Sequence, residues 1–225
     1  MNTEEIKRFL GRKALEFVKP GMKVGLGTGS TTFFFIEALI ESCQQGLSVE
    51  VAATSLASEE QAKKGGLKFI DPSHVSCLDL IVDGADEVDN QKRMIKGAGG
   101  ALLREKILAS LSHHRVVIVD ETKLSSSLGN KKLPIEIYPF AYLGTIAQLN
   151  KSGLKGELRR SSHQALYTTD NGNYIYDVTL SHNSNSLELL ELEIASIPGV
   201  VETGFFLHFS PTVLVGFRDG TIKII

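Results

Sequence analysis

The sequence contains no tryptophan and only two cysteines, Cys43 and Cys77. Neither cysteine belongs to a Cys-x-x-Cys pair, so the spacing provides neither a zinc-ligand pattern nor a redox pair. Two isolated cysteines are also too few for a disulfide framework in a chain of 225 residues. The pattern predicts two reduced, buried thiols and a cytoplasmic protein.

Long apolar segments and a surplus of one charge are also missing. No apolar run approaches the roughly 20 residues of a membrane-spanning helix. The N-terminal segment MNTEEIKRFL is charged and amphipathic, without the apolar core of a signal peptide. The formal net charge of −2 argues against a nucleic-acid-binding protein, because such proteins usually carry a basic surplus. We therefore expect neither a membrane nor a nucleic-acid partner, and the six histidines show no metal-ligand spacing.

Apolar strands and amphipathic helices alternate along the first 130 residues. Strands are predicted at MKVGL, VEVAATS, LDLIVDG and RVVIVDE, each followed by a helical pattern or a glycine turn. Strands that alternate with helices form a parallel sheet with right-handed crossovers. The sequence therefore predicts an α/β fold for this part of the chain.

The pattern changes near residue 130, where the predicted elements become shorter. The Asp-Asn-Gly-Asn segment at 170–173 lies between two alternating runs and predicts a hairpin, and a second hairpin is predicted around Asp219-Gly220. We predict a large α/β domain made of residues 1–130 plus 206–225, and a small α+β domain made of residues 131–205.

The segment GLGTGST, residues 25–31, follows the first predicted strand and precedes a helix. Glycines there let the backbone turn tightly and approach a ligand, and a helix N-terminus attracts anions. The hydroxyls of Thr28, Ser30 and Thr31 suit phosphate oxygens. The segment lacks the third glycine of a dinucleotide fingerprint and the lysine of a Walker loop. It predicts a turn that binds one phosphate, the alternative being a tight strand–helix turn with an ordinary N-cap. The hydroxyls are also predicted to cap the helix that follows.

The segment DGADEVD, residues 83–89, contains four carboxylates. Asp83 comes directly after a buried strand, where α/β sheets bind ligands, and Asp86 can share its face if the turn is helical. Two such carboxylates can hold sugar hydroxyls, share a proton or bind Mg²⁺. For Glu87 and Asp89 we favour a solvated acidic turn.

A second glycine-rich segment, KGAGGALLREK, begins at Lys96 and runs into a predicted helix that carries Glu105. A carboxylate on a rigid helix can act as a general base, and a nearby ammonium can stabilise the oxyanion that the base generates. Taken alone, the charged helical residues around Glu105 favour a solvated face. Lys123 in the segment DETK follows the next apolar strand. Four such segments at four strand ends of one sheet together favour a binding site.

The segments GLGTGSTT, VDGADEVD, IKGAGGALLREK and VDETK, in this order and spacing, closely resemble the ribose-5-phosphate isomerase A family. TDNGNYIYDV and IPGVVETGFF resemble the smaller domain of that family, so the resemblance runs almost end to end. It implies a Rossmann-like large domain with an inserted ferredoxin-like α+β domain. It also implies reversible isomerisation of ribose 5-phosphate and ribulose 5-phosphate in the non-oxidative pentose phosphate pathway, without cofactor or metal, by a homodimer or a dimer of dimers.

The resemblance also implies roles for individual residues. Glu105 matches the catalytic base, and Asp83 and Asp86 match the acids that engage the sugar hydroxyls and assist ring opening. Lys96 matches the lysine near the reacting oxygen. The substrate-binding residues implied by the match are Thr28, Gly29, Ser30, Thr31, Asp83, Gly84, Ala85, Asp86, Lys96, Gly97, Ala98, Gly99 and Lys123. Ala98 is a departure, because many members carry glycine there and a methyl group restricts positive φ.

Two other functions stay open at this point. A sugar-phosphate sensor would bind an effector without turnover, although the base, the oxyanion donor and the carboxylate pair argue against it. An acyl-CoA transferase would use Glu105 as a nucleophile. The sequence does not place Lys7, on the first predicted helix, relative to the phosphate-binding turn.

Overall fold

The structure is a computed structural model that describes residues 1–180 and 186–225. The chain forms two compact units. The first comprises residues 1–85, 104–124 and 209–225, and the second comprises residues 86–103 and 125–208.

Six α-helices, fourteen strands and three short 3-10 helices make up the regular structure of the described residues. The helices are α1 (Thr3–Ala14), α2 (Ser30–Gln44), α3 (Leu56–Lys64), α4 (Leu102–Leu111), α5 (Tyr142–Lys151) and α6 (Leu187–Ala195). The strands are β1 (Lys23–Leu26), β2 (Glu50–Ala53), β3 (Lys68–Phe69), β4 (Leu78–Asp83), β5 (Glu87–Val88), β6 (Met94–Ile95), β7 (Ser112–Asp120), β8 (Leu133–Ile137), β9 (Gly156–Leu158), β10 (Tyr174–Val178), β11 (Val200–Thr203), β12 (Phe205–Phe206), β13 (Thr212–Gly216) and β14 (Ile222–Ile224).

The first unit contains a seven-stranded sheet with the order β14-β13-β7-β4-β1-β2-β3. All neighbouring strands pair in parallel except β13 and β14, which form the predicted C-terminal hairpin. The central strands are continuous apolar runs because both faces of a parallel sheet are covered. Leu10, Phe35 and Leu80 belong to the core that α1, α2 and these strands enclose. The predicted α/β architecture is confirmed.

The second unit contains two small antiparallel sheets, with the orders β11-β8-β10-β9 and β12-β6-β5. Ile135, Leu149 and Ile194 lie in its core, which α5 and α6 help to form. The predicted turn at residues 170–173 is present, since the backbone N–H of Thr169 donates to the carbonyl of Asn173 at 2.8 Å. Among the described residues, Thr168 and Tyr174 form the single antiparallel bridge between the segments on either side of this turn. The strand that follows the turn, β10, otherwise pairs with β8 and β9.

The two units differ from the predicted domain boundaries mainly at residues 86–103. These residues belong to the second compact unit because β6 pairs with β12, whereas the prediction assigned them to the large domain. The prediction of buried thiols is wrong: Cys43 is partly exposed and Cys77 is exposed. No helix among the described residues is long and apolar enough to cross a membrane.

Candidate active site

The glycine-rich turn after β1 lies against the end of β4 in the first unit. The two strands are parallel neighbours, so their carboxyl ends share one edge of the sheet. The backbone N–H groups of Thr28 and Gly84 donate to Oδ1 of Asp83 at 3.1 and 2.7 Å. A Cβ atom on Gly27 would lie 2.1 Å from the same oxygen, so only glycine fits there. The turn thus fixes the Asp83 carboxylate, which is 4% exposed, at the predicted edge.

The hydroxyl of Thr28 belongs to a buried cluster that the sequence analysis missed. Its Oγ1 lies 2.7 Å from the hydroxyl oxygens of both Thr54 and Ser55. Ser58 donates from its hydroxyl to the carbonyl of Gly27 at 2.7 Å. These residues follow β2 and begin α3, where Ser55 is the N-cap. The cap was visible in the sequence, but its link to Thr28 depends on the parallel pairing of β1 and β2.

The N-terminus of α2 combines two sources of positive potential. Gly29 is its N-cap and makes no side-chain hydrogen bond to the helix, so the predicted hydroxyl cap is wrong. The first turn, with Ser30 and the half-buried Thr31, therefore presents the partial positive charge of a helix N-terminus. Lys7 on α1 donates from Nζ to Oγ of Ser30 at 2.7 Å. A lysine at the positive end of a helix favours a bound anion.

Lys123 lies at the same edge of the parallel sheet. It ends the three-residue 3-10 helix Glu121–Lys123, directly after β7, which is the neighbour of β4. Asp120 is buried and its Oδ1 accepts hydrogen bonds from the backbone N–H of Thr122, at 3.0 Å, and from the Thr122 hydroxyl. Asp120 therefore fixes the turn that carries Lys123.

Glu105 lies in the first turn of α4 and is 5% exposed. The neighbouring Arg104 and Lys106 are half-buried, so the alternative of a solvated helical face is wrong. The N-terminal turn of a helix stabilises a carboxylate through the helix dipole. A buried carboxylate on a helix is suited to proton transfer, because the helix holds it rigidly and little water competes for the proton.

In the second unit, Lys96 follows β6 and is 4% exposed. Its backbone N–H donates to the carbonyl of Gly204 at 2.9 Å, and its Nζ lies 5.4 Å from the centroid of the Phe206 ring. Burying an ammonium group is costly, so this burial marks Lys96 as a functional candidate. Since β6 belongs to the sheet β12-β6-β5, the prediction that all four segments end strands of one sheet is wrong.

Asp86 contacts the glycine loop of the same unit. Its Oδ2 accepts a hydrogen bond from the backbone N–H of Ala98 at 2.8 Å. Positive φ angles in the loop occur at Gly97 (105°) and Gly100 (81°) and not at Ala98, so the alanine is accommodated without strain. The link through Gly84 and Ala85 is not helical, so Asp83 and Asp86 do not share a helical face.

Glu87 and Asp89 are buried, so the predicted solvated acidic turn is wrong. Glu87 is 2% exposed and accepts hydrogen bonds at 3.0 to 3.2 Å from the backbone N–H groups of residues 129–131. Asp89 is 3% exposed and accepts from the backbone N–H groups of Gln91 and Arg93 and from Nε of Arg93. Both carboxylates satisfy backbone donors inside the second unit.

The described residues include no group of three or more histidine, cysteine, aspartate or glutamate side chains that could hold a metal ion. His182 lies outside the described residues. The structure therefore adds no ligand set to the Mg²⁺ interpretation of Asp83 and Asp86.

A parallel α/β sheet with a buried aspartate at a strand end, beside a helix N-terminus that attracts anions, is typical of α/β enzymes that act on small phosphorylated substrates. Comparisons with known proteins make this class specific. The family model of ribose 5-phosphate isomerase A (phosphoriboisomerase A) matches residues 50–220.

The ribose-5-phosphate isomerase A of Protochlamydia amoebophila is 43% identical over 219 residues, which cover 97% of this chain and 94% of the relative. The solved ribose 5-phosphate isomerase from Plasmodium falciparum has a TM-score of 0.95 and 34% identity, covering 99% of this chain and 98% of that one. A D-ribose-5-phosphate isomerase solved in complex with phospho-erythronic acid has a TM-score of 0.94 and 37% identity, covering 100% and 99%. This chain belongs to the ribose 5-phosphate isomerase A family, and its predicted activity as an aldose–ketose isomerase is confirmed.

Proposed function

We propose that this isomerase moves the carbonyl of ribose 5-phosphate from C1 to C2 through an enediolate, with Glu105 as the base. The observation that carries the proposal is that Asp83, Lys96 and Glu105, which match catalytic positions of the family, are only 4%, 4% and 5% exposed. Charged groups are rarely buried without a structural or chemical role. Each of the three occupies a position that the family resemblance assigns to catalysis.

The phosphate binds at the N-terminus of α2. Lys7 and the first-turn N–H groups supply positive potential there, and Ser30 and Thr31 supply hydroxyl donors. Lys123, on the neighbouring strand end, adds a second ammonium. The solved relative that binds phospho-erythronic acid carries a phosphorylated four-carbon acid, which supports a site for a short sugar phosphate.

Glu105 removes the proton from C2 of the open-chain aldose, and the electrons form the C1–C2 double bond while O1 becomes negative. Lys96 and the N–H of Gly99 in the glycine loop stabilise that charge. A proton passes from O2 to O1, and Glu105 returns its proton to C1. The product is the ketose with a carbonyl at C2.

Asp83 and Asp86 bind sugar hydroxyls and assist the opening of the ring. Ring opening removes a proton from the C1 hydroxyl, which a carboxylate can accept. It also adds a proton to the ring oxygen, which a carboxylic acid can donate. The backbone donors to Asp83 orient its carboxylate before the substrate binds. Such preorganisation avoids reorientation during the reaction.

Incubation of EDTA-treated protein with ribose 5-phosphate in D₂O tests the proposal. Ribulose 5-phosphate formation, followed by NMR, is the primary readout, and solvent deuterium in the product supports an enediolate. Glu105→Gln should lower kcat by about 100- to 10,000-fold, the usual contribution of general base catalysis. Glu60→Gln on α3, an exposed residue paired with Lys64, is the matched control.

Near-normal turnover in the Glu105→Gln variant would overturn the assignment of the base. Binding of ribose 5-phosphate to the wild type without turnover would instead support a sensor. A thioester trapped on Glu105, cleaved by hydroxylamine, would support acyl-CoA transfer.

The proposal includes a cytoplasmic enzyme that forms a homodimer or a dimer of dimers. Its support is the resemblance to the family. Light scattering on the purified protein tests the assembly, and a mass equal to that of one chain, 24.5 kDa, would contradict it.

A further inference from the structure

Two side chains hold three consecutive carbonyl groups of the glycine loop. Nη1 of Arg159 donates to the carbonyls of Gly97 and Ala98 at 2.9 and 3.0 Å. The hydroxyl of Tyr167 donates to the carbonyl of Gly99 at 3.2 Å. In a trans peptide the N–H points opposite to the preceding C=O. Of the N–H groups in these peptides, that of Ala98 donates to Asp86 at 2.8 Å and that of Gly100 donates to the carbonyl of Gly97 at 3.0 Å. The contact between Arg159 and the Ala98 carbonyl therefore directs the N–H of Gly99, in the same peptide, away from Arg159.

Arg159 is itself fixed by the sheet of the second unit. Its Nε and Nη2 donate to the two carboxylate oxygens of Asp177 at 2.8 and 2.5 Å, and both side chains are 15% exposed. Asp177 lies on β10, which pairs on both sides with β8 and β9. A guanidinium group can serve a carboxylate and two carbonyls at once because its donors form a rigid planar fork. The contacts form a continuous connection from β10 through Asp177 and Arg159 to the loop.

Tyr167 packs directly on the loop. A Cβ atom on Gly100 would lie 2.2 Å from the phenol oxygen, so the ring occupies the space that any other residue would need. The guanidinium of Arg159 lies 5.7 Å from the centroid of the Tyr167 ring. Burial raises the pKa of the Tyr167 phenol, although the nearby Arg159 opposes this. The phenol therefore keeps its proton at neutral pH and continues to donate to Gly99.

We propose that Arg159, held by Asp177 and assisted by Tyr167, is a positioning residue that keeps the N–H of Gly99, in the loop that follows Lys96, in one rigid orientation as an oxyanion donor. This inference rests on the proposed function, in which that donor and Lys96 stabilise the enediolate. Preorganised donors stabilise developing charge without paying for reorientation during the reaction. A loop without the Arg159 contacts retains its chemical groups but loses their fixed direction.

A purely structural role for Arg159 makes a different prediction. A loss of folded protein lowers the rate but leaves the affinity of each folded molecule for a charged intermediate mimic unchanged. Phospho-erythronic acid is such a mimic, because its carboxylate stands in for the two oxygens of the enediolate. Inorganic phosphate is the matching probe for the phosphate site alone.

The experiment compares wild type, Arg159→Met and the control Arg160→Met. Arg160 is the adjacent residue and donates to the carbonyl of Gln164, outside the loop. In Arg159→Met we expect kcat to fall about 10- to 100-fold, less than for outright loss of an oxyanion donor. The inhibition constant of phospho-erythronic acid should rise by a similar factor, with KM for ribose 5-phosphate and inhibition by phosphate nearly unchanged. Arg160→Met should match the wild type.

A loss of kcat without weaker inhibition by phospho-erythronic acid, or wild-type values for both, would overturn the inference. If Arg159→Met does not fold, Tyr167→Phe removes only the hydrogen bond to Gly99 and should show a smaller loss with the same pattern. Wild-type kcat and inhibition in that variant would likewise exclude the positioning role. A wild-type protein that does not isomerise ribose 5-phosphate would instead refute the proposed function, whatever the variants do.

Discussion

Asp83 and Glu87 are four residues apart and almost equally buried, at 4% and 2% exposed, but they have different roles in the fold. Glu87 receives three backbone N–H groups from residues 129–131, shared between both of its oxygens. Asp83 ends β4, and the adjacent turns donate to its Oδ1. Burial alone therefore does not identify a catalytic carboxylate. The two carboxylates differ in the segments that supply their backbone donors, and only Asp83 lies at the carboxyl end of a strand of the parallel sheet.

The cations show the same contrast. Arg93 is paired with Asp89 at 2.7 Å and with Glu188 at 3.3 Å, so its charge is matched within the second unit. Lys7 donates to the neutral hydroxyl of Ser30 at the positive end of α2. A cation bonded to carboxylates supports the fold, whereas a cation beside a helix N-terminus is suited to an external anion.

Among the substitutions that test this comparison, Asp83→Asn is expected to have the largest effect on activity. The amide oxygen can still accept from the backbone N–H groups, but the group no longer exchanges protons, so kcat/KM should fall about 100-fold or more. The melting temperature should change by no more than about 2 °C. Kinetics of ribulose 5-phosphate formation and thermal denaturation measure both. Asp79→Asn on the exposed side of the same strand is the control, and equal activity of the two variants would abolish the distinction.

Glu87→Gln should show the opposite profile. The amide NH₂ replaces one acceptor and leaves buried backbone N–H groups unsatisfied, which costs about 2–4 kcal/mol in the free energy of unfolding. Activity per folded molecule should stay within about twofold of the wild type, because Glu87 only maintains the fold. Urea denaturation and active-fraction kinetics test this. A stable variant with a large loss of kcat would place Glu87 in the catalytic machinery.

Lys7→Met tests the cation half of the comparison. Loss of a charge-assisted contact to the phosphate should raise KM for ribose 5-phosphate about 10-fold, with kcat changed less than about threefold. Arg12→Met on the same helix removes an exposed cation that lies 3.9 Å from Glu41, and it should leave KM unchanged. Equal KM values for both variants would show that Lys7 does not contact the phosphate.

The sequence was sufficient for the features that are local in the chain. The glycine turn at 25–31, Asp83 at the end of its strand and Glu105 on its helix all follow from patterns a few residues long. These patterns also carried the family resemblance. The parallel direction of the strands followed from their alternation with helices, since a helix between two strands usually connects parallel neighbours.

Features that depend on distant pairings could not be predicted. Glu87 was interpreted as solvated because the residues that bury it lie 42 to 44 positions further along the chain. Arg159 is 62 positions from Gly97, and nothing in the segment GELRRSS indicates which of its two arginines contacts the loop. The assignment of residues 86–103 to the second unit depends in the same way on the pairing of β6 with β12.

Ala98→Gly is expected to have the smallest effect of these substitutions, because Ala98 contributes only backbone groups to the contacts of the loop. Ala98 contributes its backbone N–H to Asp86 and its carbonyl to Arg159, and its φ angle is not positive. Glycine would keep both backbone contacts while increasing the entropy of the unfolded chain, so stability should fall by about 0.5–1 kcal/mol. Turnover should remain within about twofold, because no chemical group is lost. A clear gain in kcat would mean that the methyl group restrains a movement of the loop during the reaction, and that the rigid loop is slower than a mobile one.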